Sequence, residues 1–435
     1  MIWFLAIELF KNQFKSLRKE CFAMHTNQQL KFEVPFNGDD NLVSAYADFK
    51  ERIVMVYGRA EDGYPQGRKT DKSKPITLEN IFKQAETVKK WGVKFNYLIN
   101  GTSFSNREFS KEYRRSFVSF VKNLASHGVN IVTIGNLHLL EIISNEVPEI
   151  EIFASVLLEV DCLARLKAVS RLGPKYVCLS KTLLKNFRAL ENIGKFCVAK
   201  IEPILLSNDP CLHHCVFTHY HNDILSHLTG EGAYCDSYCR LHCTKAFIGD
   251  RRNLVSASFI RPEDLRVYFN LGYRIFKLCD RKHSTEWIMR ALRAYSEGYY
   301  NGNLADIMAP WNRHSKSYSF PTELSLEDFV EKGMDSCRDH LRFTPYIENR
   351  KLDGYLEHWR GNKQSGCRDE DCDSCGYCAK LAAIATEAEP LRKRIIAQNI
   401  EKALKFSMSL DDLKREDEND RRERDTLGED FQSKV

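Results

Sequence analysis

Along the chain an apolar or basic stretch, a glycine and a short β-rich run recur, the order expected where a helix stops on a left-handed glycine and turns into a strand. Gly92 precedes Val93–Asn100, Gly128 precedes Val129–Gly135, and Gly173 precedes Tyr176–Ser180. Gly194 precedes Phe196–Ile201, and Gly272 precedes Arg274–Cys279. Three further runs, Lys31–Phe36, Ile53–Tyr57 and Ile150–Val156, read as strands without that glycine. Amphipathic segments such as Ile81–Trp91 and Phe117–His127 lie between them. Strands alternating with helices in this number predict an α/β fold, an (α/β)8 TIM-like barrel rather than an open sheet.

The spacing also divides the chain. Gly194 and Gly272 are 78 positions apart, far more than one helix and one strand need. The surplus is a Cys/His-rich insertion at 205–258 after the seventh predicted strand, and loops in that position open on the face where barrels carry their chemistry. The barrel is assigned to 29–309, with an N-terminal extension at 1–28 and a C-terminal extension at 310–410 that contains a cysteine-rich knot, 367–378. Residues 411–425 hold eight acidic and five basic side chains, so 411–435 is expected as a charged, solvated tail. Met1–Ile7 is apolar, but Glu8 and Lys11 interrupt it well before the roughly 20 residues that span a bilayer. No basic lead-in or small-residue cleavage site marks an export signal. The expectation is a cytoplasmic chain with no transmembrane segment and reduced cysteines.

Composition narrows the chemistry. The 435 residues are 43% apolar, enough for a large core. Lys plus Arg number 64 against 59 Asp plus Glu, too small an excess for a chain built to neutralise phosphates. The fifteen cysteines are unevenly spread: residues 211–243 hold five of them, with six of the thirteen histidines. Cys211 and Cys215 form a C-x3-C pair, and Cys235, Cys239 and Cys243 repeat every four residues, one stripe of a helix. Thiolates are the soft ligands that iron–sulfur clusters and zinc select, and four converging make a complete site. Such a stripe is also what a buried helix face of small hydrophobes looks like, which is the better reading of the single Cys162, Cys178, Cys197 and Cys279. A second set, Cys367, Cys372, Cys375 and Cys378, has C-x4-C-x2-C-x2-C spacing and suits zinc or a second cluster. H-E-x-x-H, G-x-S-x-G, Walker A and G-x-G-x-x-G motifs are absent, so the commonest metalloprotease, hydrolase and nucleotide-dependent chemistries lose ground.

Several segments together, Asn208–His221, Phe259–Leu265, Phe276–Arg281 and Thr285–Tyr295, resemble the collagenase-like peptidases of unknown catalytic type, the U32 family. The resemblance covers roughly 30–308, and the cysteine knot resembles an extension in an uncharacterised branch of that family. It implies either proteolysis, as the name says, or the chemistry of better understood relatives: barrel proteins holding a 4Fe-4S iron–sulfur cluster and taking part in oxygen-independent hydroxylation. Their substrates are small aromatic rings or RNA bases, which implies an electron donor protein and allows a partner subunit. Carried over by position, the resemblance implies that Cys211, Cys215, Cys239 and Cys243 hold the cluster, with Cys235 the spare; the Phe259–Leu265 segment lacks the Cys that one group has there. It also places Arg281 at the barrel mouth, able to grip a carboxylate or phosphate or else to pair with Glu263 or Glu286. Arg261 and Asn100 stand at comparable loop starts or strand ends and are further catalytic candidates. A non-catalytic zinc-binding module is the remaining alternative.

Overall fold

In the computed structural model of the chain, eight short strands lie parallel and close on themselves. The structure describes residues 30–62, 75–197, 201–213, 215–227, 238–311, 345–361, 366–367, 371–387 and 390–408. The N-terminal extension, Cys235 and the charged tail lie outside the described residues. The strands are β1 (Lys31–Pro35), β2 (Ile53–Gly58), β3 (Lys94–Ile99), β4 (Ile131–Ile134), β5 (Glu151–Ala154), β6 (Tyr176–Cys178), β7 (Glu202–Leu206) and β8 (Ile275–Lys277). Each pairs with the next, and β8 returns to β1. This is the expected (α/β)8 barrel.

Parallel strands covered by helices outside and packed against one another inside have no wet face, which is why they read as nearly continuous apolar runs. Met55, Ile131, Phe153, Tyr176, Cys178, Ile204, Leu206 and Ile275 form a core distinct from the helix-facing one. Their alternation with residues of the outer core puts them on the barrel axis. Around it the side chains turn polar. Lys277 Nζ lies 2.7 Å from Glu33 Oε1, Asn96 Nδ2 donates to the same oxygen at 2.9 Å, and Thr133 Oγ1 donates to Asn96 Oδ1 at 2.8 Å. The pair thus ties β1 to β8 at the seam where the barrel closes, through side chains as well as backbone. Burial raises the Glu33 pKa in spite of the opposing lysine.

Four of the five glycines expected to end helices do so in the left-handed region: Gly92 (φ 73°), Gly128 (83°), Gly173 (84°) and Gly272 (106°). Gly194 does not. It lies inside the helix Phe187–Cys197, so the strand expected at Phe196–Ile201 is corrected to β7 at Glu202–Leu206. The glycine is there for space: a Cβ on it would stand 2.2 Å from the Leu271 carbonyl oxygen, so the helix packs backbone to backbone against the turn that leads into β8.

The C-terminal segment is joined to the barrel core. Leu352, Tyr355, Leu356 and Trp359 are buried in the same cluster as Phe259 and Tyr268, and bridges pair Asn303 with Glu348 and Ile347 with Thr386. Arg261, expected near the mouth, serves this junction instead. Only 1% exposed, it binds Asp264 at 2.8 Å, the Asn349 carbonyl at 2.7 Å and Asp353 at 3.2 Å. A guanidinium so engaged is a fastener between segments.

Two substitutions test this packing. Gly194→Ala is expected to destabilise the protein by about 1–3 kcal/mol, as overpacking does, read as a lower denaturation midpoint; an unchanged midpoint would refute the backbone contact. Lys277→Met is expected to cost about 3–5 kcal/mol by stranding Glu33, and the double variant with Glu33→Gln to cost clearly less; additive losses in the double-mutant cycle would show that the two groups do not interact.

Candidate active site

The insertion leaves the barrel at the end of β7 and is pinned where it starts. Ser207 N donates to the Lys277 carbonyl at 3.0 Å, and Ser258 N donates to the Cys211 carbonyl at 2.9 Å, so both ends of the insertion meet beside the β7–β8 edge. Asn208 holds the junction. Its Nδ2 donates to the Cys279 and Ile307 carbonyls at 2.8 and 3.0 Å, and its Oδ1 accepts from Cys279 N at 2.6 Å. Beyond Cys211 and Cys215 come two helices, Thr218–His227 and Tyr238–Gly249. The first reaches across the mouth: Asn222 Nδ2 lies 3.4 Å from Glu159, and its carbonyl accepts from Thr102. Glu159 is fixed in turn by the Ser180 hydroxyl at 2.5 Å.

Cys239 and Cys243 sit one turn apart on the second helix, Cys239 being 2% exposed. The structure brings these two and the C-x3-C pair into one electrostatic group. Cys211 hydrogen-bonds Cys215; the contact, with burial, holds the Cys211 thiol well above its usual range and draws Cys215 down to about 7. Cys243 is pushed up to about 12 by burial first and then by Cys211 and Cys239, and it acts on Cys215 as well. Lys181, at the start of the turn after β6, lies against them. Burial opposes its charge, yet Asp209 at 3.0 Å and Cys211 raise its pKa above the lysine range. Among the described residues no three His, Cys, Asp or Glu side chains form a ready ligand set for a single metal ion.

Two guanidiniums are buried just after strand ends. Arg281 follows β8 and is 6% exposed; Arg59 follows β2 and is 3% exposed. Burial and then the charge of Arg281 lower Arg59 to about 10, while burial lowers Arg281 against the pull of Asp280, Tyr57 and Tyr97. The carboxylates considered as structural partners of Arg281 are engaged elsewhere: Glu263 accepts from Tyr300 N and Asn349, and Glu286 pairs with Arg290. Tyr57 hydroxyl donates to the Leu278 carbonyl at 2.9 Å and stands 3.7 Å from Cys279 Sγ. Cys279 feels Asp209 and Asp280, so the arginine side and the thiol side are continuous through it. Asn100 closes β3 with a buried Oδ1 that has no hydrogen-bond partner among the described residues. Arg59 was missed in the sequence; its signal was position, the first residue after a strand end, as for Arg281.

The second cysteine set is separate. Cys367, Cys372, Cys375 and Cys378 line one cavity of about 180 Å³ together with His358, Tyr377 and, just after the helix carrying Cys239 and Cys243, Asp250, Arg252, Asn253 and Ser256. Among the described residues no helix is long and apolar enough to cross a membrane.

With the geometry in view, comparison with known proteins becomes informative. An uncharacterized protease of Methanocaldococcus jannaschii is 25% identical over 316 residues, covering 72% of this chain and 83% of its own length. A solved U32 peptidase structure aligns with 59% of this chain and 94% of its own at 15% identity and a TM-score of 0.44. A β-L-arabinopyranosidase from Geobacillus stearothermophilus aligns with 63% and 78% at 10% identity and a TM-score of 0.36. Residues 51–301, more than half of the chain, match the model of peptidase family U32, and the chain belongs to that family.

Proposed function

We propose that the protein carries an iron–sulfur cluster on Cys211, Cys215, Cys239 and Cys243 and performs redox chemistry of the oxygen-independent hydroxylase type on a small aromatic ring or nucleobase held at the barrel mouth. The observation that carries this reading is the electrostatic grouping of Cys211, Cys215 and Cys243, with Cys239 one turn from Cys243 and acting on it. Soft thiolates in that number suit a cluster, and the half-buried Lys181 cation offsets part of the negative charge that four thiolates and a cluster bring. When bound, the cluster supplies one-electron chemistry or polarisation of a ring set against it.

The chain's own groups do the rest. Arg59 and Arg281 bring two positive charges into a nearly dry space, where a carboxylate or phosphate on the substrate gains charge-assisted hydrogen bonds that water would otherwise weaken. Asn100 offers a buried amide oxygen to a substrate donor. The helix Thr218–His227, anchored through Asn222, covers the mouth and limits water, which protects reactive intermediates. A second reading, peptidase activity, rests on the names of the relatives; gelatin cleavage that survives in Cys239→Ala would favour it.

Protein purified without oxygen is expected to contain about four irons and matching sulfide at this site, lost in Cys239→Ala. Zinc without iron or sulfide would contradict the proposal and leave a zinc-binding module or a hydrolase. Arg281→Leu is expected to raise the Kd for 4-hydroxybenzoate, a probe aromatic carboxylate, about tenfold or more by titration calorimetry, since a hydrogen bond between charged groups contributes ~1.5–3 kcal/mol. An unchanged Kd would remove Arg281 from the site.

A further inference from the structure

The C-terminal cysteines stand in a built pocket, outside the site just described. Cys372–Cys375 is a single helical turn capped by Asp371, whose carboxylate accepts from Asp373 N and Ser374 N. Gly376, with φ 62°, then reverses the chain into the helix Tyr377–Ala385, which opens with Cys378. The left-handed glycine is what lets three cysteines at x2 spacing face one space. Cys367 approaches from outside this turn, and its Sγ accepts a hydrogen bond from Trp359 Nε1 at 3.0 Å. His358 Nε2 lies 3.7 Å from Cys375 Sγ, with its ring stacked on Tyr377 at 4.0 Å.

We propose that Cys367, Cys372, Cys375 and Cys378 hold a second iron–sulfur cluster, seated between the C-terminal segment and the end of the insertion. Size separates a cluster from zinc. The pocket that the four thiols line together with Asp250, Arg252, Asn253, Ser256, His358 and Tyr377 has about 180 Å³, room for a polynuclear group where one zinc ion held at ~2.3 Å by four sulfurs would leave much of it empty. The four thiols act on one another across this space: Cys378 feels Cys367, Cys372 and Cys375. Charge agrees with this. The Lys185 ammonium is buried beneath the pocket, held by the Val255, Ser256 and Ala257 carbonyls at 3.0, 2.5 and 2.7 Å. It stands 4.7 Å from the Trp359 ring centroid, close enough for its charge to act on Cys378 and Cys367. A buried cation is costly without an anionic partner, and thiolates bound to a cluster provide one. At the rim Arg252 bridges Asp250 and Asp373, clasping the cysteine turn to the insertion.

This inference stands on its own residues, and the test separates it from the barrel-mouth reading. Iron, acid-labile sulfide and zinc are measured on full-length wild type, Cys239→Ser and Cys375→Ser, all purified without oxygen. The expected result is about eight irons and eight sulfides per chain in wild type and about four of each in either variant. Zinc that disappears with Cys375→Ser, or iron that this variant leaves unchanged, overturns the proposal. Loss of about four irons in Cys375→Ser with none lost in Cys239→Ser upholds it and overturns the barrel-mouth cluster. If Cys375→Ser does not fold, the other two proteins decide: about eight irons in wild type upholds the second cluster, and about four, all lost in Cys239→Ser, refutes it.

Discussion

The functional end of this molecule hangs on Asn208. Its side-chain amide joins the end of β7 to Cys279 and Ile307, and its carbonyl accepts from Ala309 N at 2.8 Å. One fully buried residue therefore sets where the insertion departs, where the chain that carries Arg281 begins, and where the segment toward the C-terminus crosses the barrel. Each bond contributes only about 1 kcal/mol net, but leaving a buried amide unsatisfied costs about 1–3 kcal/mol per group. Moving any of the three segments would strand the others, so the geometry of the mouth is fixed from a point beneath it.

Above that point the barrel gathers charge that a stable core would avoid. Arg59 and Arg281 are removed from water and Lys181 is largely so, at the C-terminal ends of strands or in the turns that follow them, and the insertion's Cys211 and Cys243 lie within the field of Lys181. Two buried guanidiniums that lower each other's tendency to stay charged weaken the fold. Perturbed groups of this kind concentrate where a protein binds or transforms something. The polar network of Glu33, Lys277, Asn96 and Thr133 differs in kind: its members satisfy one another deep in the barrel and close the seam between β8 and β1.

The barrel was legible in the sequence because left-handed glycines and apolar strands are local signals, each carried by a few neighbouring residues. Gly194 misled for a physical reason. A glycine needed for close approach of Leu271 looks, in sequence, like one needed for a turn, and only the partner across space separates them. The C-x3-C pair and the four-residue stripe marked one cysteine group because thiol spacing on a helix is itself a geometric statement. The C-terminal set was equally visible, but its seat against the insertion and the buried Lys185 were not, since they depend on chain segments far apart. Arg261 and Arg281 looked alike at strand ends; burial beside Asp264 and Asn349 makes the first a fastener, and the second stays at the mouth. Arg59 carried no motif, only its place after β2.

A ligand gripped by the paired arginines is expected to be felt by a cluster on the insertion thiols. Low-temperature electron paramagnetic resonance of the dithionite-reduced protein, with and without a saturating aromatic carboxylate, tests it most directly. The expected result is a reduced-cluster component that is lost in Cys239→Ala while the C-terminal cluster's component remains; the shape of the former changes when the carboxylate binds and does not change in Arg281→Leu. No reduced-cluster signal in the wild type, or one indifferent to the carboxylate, would contradict it.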